Sequence, residues 1–203
     1  MIAVITGDII NSRALPSGWI MTLKDALEGV FSQNSKSEIF RSDSYHLELD
    51  SAAALLNAIY IKACLKTIKG ADVRMSIGIG KKSNVNTTKV TEANGEAYIN
   101  SGEAFDELSV LKVNMLIKSP SVKFDDDMNL YLKLALIAMD SWGPITAEVV
   151  KHTLENHNEK QNKIAKISGR SQSSISEALK RAHFSEIMEL EKKYRLLVTE
   201  TFR

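Results

Sequence analysis

Apolar residues recur along this chain with two different periods, and the switches between them divide it into elements. Residues 2–6, IAVIT, form an unbroken run rich in β-branched side chains, closed by Gly7 and Asp8, and predict a buried strand. In GWIMTLKDALEGVF, Ile20, Leu23, Leu27 and Val30 fall at helical spacing. EIFRSDSYHLEL holds two strand-length runs with Ser42, Asp43 and Ser44 between them, which predicts a tight hairpin. Residues 51–68 repeat apolar positions at Leu55, Ile59, Leu65 and Ile68, start on a good cap and stop before Gly70, so they predict a helix. DVRMSIGIG alternates Val73, Met75, Ile77 and Ile79 with smaller or polar residues, which is strand period. NGEAYINSGEAFDEL returns to helix, and KVNMLIK reads as a further strand.

Strands separated by helices in this order predict an α+β domain of ferredoxin-like type over residues 1–118, a sheet covered by helices on one face. SPSVKFDDD, with Pro120 and three consecutive acids, breaks the periodicity and predicts a linker. A connecting helix over residues 130–139 and a turn at SWGP complete a junction spanning 119–144, and residues 145–203 read as an all-α domain. Trp19 and Trp142 stand at element boundaries as packing residues.

Composition changes this picture only in its charge. With 44% hydrophobic and 25% charged residues in 203, a sizeable buried core is expected and wholesale disorder is not. The net charge of +1 hides a division: residues 145–203 carry 11 Lys/Arg against 8 Asp/Glu, and residues 1–144 carry 15 against 17. The second half is therefore the one that attracts phosphate. Cys64, the single cysteine, sits in an apolar helical pattern and is expected in the core without a disulfide. The opening MIAVITGDII is interrupted by Asp8 and lacks a signal-peptide pattern, and no run of 18 apolar residues is present, so the expectation is a cytoplasmic protein with no membrane partner.

The second half contains KQNKIAKISGRSQSSISEALKRAHF, in which Ile164, Ala165 and Ile167 share a side of a short helix, Gly169 permits a sharp turn, and Ser171 caps a second helix. Ile175, Leu179 and Ala182 form the inner stripe of that second helix. This is helix-turn-helix patterning, and it predicts binding to double-stranded DNA. Gln172, Ser173, Ser176, Glu177 and Lys180 line the outer face with groups suited to base edges, Gln to adenine and Glu to cytosine; Lys163, Arg170, Lys180 and Arg181 suit phosphates. The competing reading is a helical hairpin with a solvated face. Against it, a Ser-Gln-Ser-Ser start has poor helix propensity, which packing alone would not favour. Ile187, Leu190, Tyr194 and Leu197 then recur at spacings of three and four, as a homodimer seam or as an intramolecular packing stripe.

In the first half, Asp8 closes a buried strand and Asp43 sits at the hairpin tip, and a ferredoxin-like sheet would make those elements neighbours. Two such carboxylates either hold a divalent cation with nucleotide phosphates or do ordinary turn and cap work. ITGDII, FRSDSY, DVRMSIGIG and GEAYINSGEAF resemble, in order, the metal strand, hairpin, fourth strand and transition-state helix of class III nucleotide cyclases and their palm-like relatives. Ser42 stands where those enzymes place Gly, Ile39 where cyclases place a purine-reading Lys, and Ala104 where an Arg is expected after Asn100. Loss of such an Arg typically costs ~10²–10³ in rate, so efficient turnover is not expected. VITGDIINSR at the start together with the closing Q..IA...GRSQSSIS..LKRA resembles the SatD family, cyclase-like domains fused to a C-terminal helix-turn-helix. That resemblance implies a cytoplasmic DNA-binding regulator. It also implies ligand-binding roles for Asp8, Asn11, Ser12 and Arg13 in the opening motif and for Arg41, Asp43 and Ser44 in the hairpin, Asn100 matching the cyclase Asn, with Mg²⁺ or Mn²⁺ on Asp8 and Asp43 if a nucleotide is held. The alternatives are a metal-dependent nucleotidyl transferase with a recruiting tail and a non-catalytic assembly protein. His46 and Glu48, on one strand face, are expected to be solvated rather than metal-bound, since a structural site wants four ligands.

Overall fold

Five strands, β1 (Ile2–Ile10), β2 (Lys36–Phe40), β3 (Ser44–Asp50), β4 (Asp72–Gly80) and β5 (Met115–Lys118), form one sheet in the order β2-β3-β1-β4-β5. β4 and β5 run parallel and the other pairs antiparallel. The computed structural model describes residues 1–32, 34–83 and 94–202, and over these the fold is a mixed α+β arrangement with eight α-helices. They are α1 (Trp19–Glu28), α2 (Ala54–Lys66), α3 (Glu96–Leu111), α4 (Val122–Met139), α5 (Pro144–Glu155), α6 (Gln161–Ile167), α7 (Gln172–Arg181) and α8 (Phe184–Thr201).

Strand alternation gives the sheet two unlike faces. Ala3, Ile5 and Ile9 of β1, with Leu47 and Ile77, point into a core shared with Leu23 and Leu27 of α1 and Leu55 and Ile59 of α2. Val4, Thr6 and Asp8 point the other way, beside His46, Glu48, Ser76 and Gly78. This second face was expected to be open, yet α3 covers part of it. Thr6 Oγ1 and Ser101 Oγ lie 2.6 Å apart, and Ser76 Oγ donates to the Ser101 carbonyl at 2.7 Å. The close approach depends on Gly78, where a Cβ would stand 2.2 Å from both Ala97 O and Ser101 N. Glu48 is accordingly buried, not solvated, and accepts from Lys82 Nζ at 2.7 Å and from the Tyr98 hydroxyl. Burial pushes its carboxyl upward, but those two hydrogen bonds together with the positive charges of Lys82 and Lys36 outweigh it and hold the group below its ordinary value.

The expected linker is largely helix. Ser121 caps α4 by accepting from Phe124 N, and Asp125 in the first turn accepts from Ser119 Oγ at 2.5 Å. Acids at a helix start are favoured by its dipole, so the DDD run that breaks apolar periodicity stabilises the helix.

One core runs from the sheet into the C-terminal helices, through Phe124, Met128, Trp142 and Val150 to Tyr194 and Val198. α2 is the hub, buried on almost every side. Its fully buried Lys62 pairs with Asp72 at 2.6 Å and Asp140 at 2.7 Å, Lys66 pairs with Asp72 at 3.0 Å, and Tyr60 donates to Glu155 at 2.9 Å. Tyr194 of α8 reaches back to the Ser51 carbonyl at 2.8 Å. Ile187 and Tyr194 are buried in this core, with Leu190 and Leu197 packed at its edge, so the stripe does pack within the chain. Among the described residues no helix is long and apolar enough to cross a membrane.

Candidate functional site

Two sets of polar residues stand out, one at a corner of the sheet and one on α7. At the corner, Asp8 pairs in register with Ser44 of β3 and Arg74 of β4, so all three project from the second face. Arg74 grips Asp8 in a bidentate pair, Nε donating to Oδ1 at 3.0 Å and Nη2 to Oδ2 at 2.6 Å. Asp43 is held by a different partner: Ser12 Oγ donates to its Oδ2 at 2.6 Å, while its backbone carbonyl accepts from Ile9 N at 3.0 Å. The hairpin bends through Arg41 and Ser42, at φ +51° and +71°. Both are in the left-handed region, which glycine adopts without steric cost and which Arg41 and Ser42 occupy here. Asn11, at φ +55°, opens the short 3-10 turn Ser12–Ala14; Arg13, next in the chain to Ser12, and Arg41, two residues before Asp43, are exposed.

The corner therefore brings Asp8, Ser12, Asp43 and Ser44 together, and the chain segments that carry Ser12 and Asp43 also carry the exposed Arg13 and Arg41. Asn100 is not part of it. Its Nδ2 donates to Ile79 O at 2.7 Å, and Ile79 pairs with Ala3, five residues up β1 from Asp8. Sequence reasoning missed Arg74. The signal was its alternation with Ser76 and Gly78, but only the strand register puts it opposite Asp8. Nearby, His46 lies against Phe40 with ring centroids 4.5 Å apart, and its buried Nδ1 has no hydrogen-bond partner. Burial pulls its pKa below the ordinary imidazole value against the opposing pull of Glu38.

In the C-terminal helices, α5, α6 and α7 enclose a small core of Val149, Ile164, Ala165, Ile175 and Ala178. Gly169 takes φ +61° in the turn between α6 and α7. The Ser171 side chain caps α7, accepting from Ser174 N at 3.2 Å. Burying Ile175 and Ala178 forces the opposite stripe outward: Gln172, Ser173, Ser176, Glu177, Lys180 and Arg181 are all exposed. Arg181 stands 3.9 Å from Glu177, and Lys163 donates to Glu159 at 2.6 Å on the surface, pairs worth little in water. Lys180 makes no ion pair among the described residues. Arg170 departs from the expected phosphate set, because its Nη2 donates to Glu148 of α5 at 2.7 Å and its Nε is buried.

The charge is more local than the halves of the chain suggested. Residues 160–182 hold six Lys/Arg and a single acid, Glu177. Lys160 and Lys166, exposed beside Lys163, belong to that surface and were not singled out from sequence. What this arrangement can do is meet a polyanion with several cations while offering hydroxyl, amide and carboxylate groups from one rigid helix. Compared with known proteins, the chain matches no protein-family model and no curated protein.

Proposed function

We propose that this protein is a DNA-binding transcriptional regulator of SatD-like organisation, with α6 and α7 as its helix-turn-helix. α7 enters the major groove of duplex DNA, offering Gln172, Ser173, Ser176 and Glu177 to base edges and Lys180 and Arg181 to phosphates. Lys163 of α6, joined by Lys160 and Lys166, supports the flanking backbone. The observation that carries this reading is the exposed polar stripe of α7, without competing internal partners at Lys180, set in a stretch with six cations and one acid.

The front half fits a degenerate cyclase-like sensory domain. Its connectivity β1-α1-β2-β3-α2-β4 and strand order β2-β3-β1-β4 support a ferredoxin-like reading. Arg13 and Arg41, on the chain segments that carry Ser12 and Asp43, are the groups for an anionic effector of nucleotide type. Mg²⁺ or Mn²⁺ at Asp8 would have to displace Arg74, whose guanidinium already supplies the positive charge a metal would bring. The transferase alternative is weaker for that reason.

Gel retardation on the duplex upstream of the protein's own reading frame tests the reading. The parent protein is expected to retard it, and Ser173→Glu with Lys180→Glu to lose at least about 100-fold in affinity, since two charges are reversed or added against phosphate. Both positions are exposed, so circular dichroism and melting should not change. Equal retardation by parent and variant would overturn the proposal.

A further inference from the structure

α4 is apolar on two sides, and only one is used. Phe124, Met128, Leu132, Leu136 and Met139 are buried in the core. On the opposite side Leu130, Leu134 and Ile137, at intervals of four and three, are 56%, 59% and 74% exposed. A helix with a second apolar stripe is incomplete in water. Beside that ridge runs a groove of about 600 Å³ between α4 and α8, floored by Ala135, Ala138, Ile187 and Leu190. Its rim carries both signs of charge, Glu186 and Glu189 with Lys193, and none of the three has an ion-pair partner among the described residues.

We propose that this face is closed by a second copy of the chain, the ridge of each copy seated in the groove of the other. Three features favour a copy over another occupant. A ridge next to a groove on one surface is self-complementary under a two-fold axis, the relation an isologous dimer requires. A rim with unpaired acids and a base suits a partner with the same mixture, whereas a polyanion would meet Glu186 and Glu189 and a polycation would meet Lys193. The groove is flanked by α4 and α8, each of 18 residues and about 27 Å long, a span over which two copies can bury the roughly 800 Å² per partner of a stable interface. The pairing is independent of what α7 binds. It does bear on it, because Arg181, the last residue of α7, and His183, at the start of α8, also line the groove. A second copy seated there joins two α7 helices in one two-fold assembly, as palindromic half-sites demand.

Sedimentation velocity of the full chain without DNA tests the pairing separately from the DNA reading. The parent is expected to sediment as a dimer in the micromolar range. Leu134→Glu with Ile137→Glu should raise the dimer dissociation constant at least about 100-fold, as two charges would be buried per protomer, with an unchanged dichroism spectrum. As a second readout, Ile137→Cys should be cross-linked to a covalent dimer by a short bismaleimide, while Val110→Cys, 78% exposed on α3, should not; Cys64 is buried and does not compete. A monomeric parent, a double variant as dimeric as the parent, or no cross-link through Ile137→Cys would each overturn the proposal, as would a monomer that takes up some other protein on this face.

Discussion

The corner of the sheet and the outer stripe of α7 hold similar inventories of charged and hydroxyl groups, and they use them in opposite ways. At the corner the chemistry closes on itself: Asp8 is consumed by Arg74 and Asp43 by Ser12. On α7 the core takes Ile175 and Ala178, and the polar residues are left facing outward with Lys180 unpaired among the described residues. A group that has found its partner inside the protein has little left to offer a ligand, and one held rigidly outward without a partner does. That contrast makes the serine-rich start of α7 the stronger candidate interface and leaves the exposed Arg13 and Arg41 as the groups the corner still offers.

If the inward region is structural, breaking it should cost folding and leave DNA affinity per folded molecule alone. Lys62→Ala is expected to have the largest effect, about 3–5 kcal/mol in urea unfolding, because it empties a fully buried position, leaves Asp72 with Lys66 as its remaining cation and takes from Asp140 its ion-pair partner among the described residues. Arg74→Ala should cost less, about 1–3 kcal/mol, since Asp8 is partly exposed and can recruit water. A loss of DNA binding by folded Arg74→Ala, seen by anisotropy, would break the comparison and return the corner to a direct functional role.

The smallest effect concerns α8. Glu191 is buried, its Oε1 has no hydrogen-bond partner, and burial raises its pKa against the hydrogen bond from Arg195. A carboxyl whose folded pKa is raised contributes stability that is fully present below its ordinary value of about 4.5 and is lost as pH rises through the folded value. Glu191→Gln removes that term. Its melting temperature relative to the parent should therefore climb as pH is raised from acid towards neutrality, and a difference independent of pH would contradict the assignment.

What the sequence disclosed follows from the range of the forces involved. β1, the hairpin, α2, β4 and the pair α6–α7 were legible because their signals are local: β-branched runs, a 3.6-residue period, Gly169 at a forced left-handed turn, Ser171 as a cap. The start of α4 was hidden because Asp125, Asp126 and Asp127 read as polar interruption, whereas a Ser121 cap makes acids welcome there. α3 on the second face could not be foreseen from alternation, since Gly78 looks merely small until a helix backbone lies against it. Arg74 as the partner of Asp8 required the β1–β4 register, which joins residues 66 positions apart. The inward turn of Ile187 and Tyr194 was one of two open readings, and it rests on packing against α2 and α4.

The central claim is that the outer stripe of α7 reads duplex DNA, and it is most directly tested by selecting bound sequences from a random duplex library and titrating the winner with salt. The account predicts enrichment of a defined sequence by the parent, affinity falling steeply with log salt concentration, and no enrichment by the variant carrying Ser173→Glu and Lys180→Glu. No enrichment by the parent, or the same sequence enriched equally by both proteins, would contradict it.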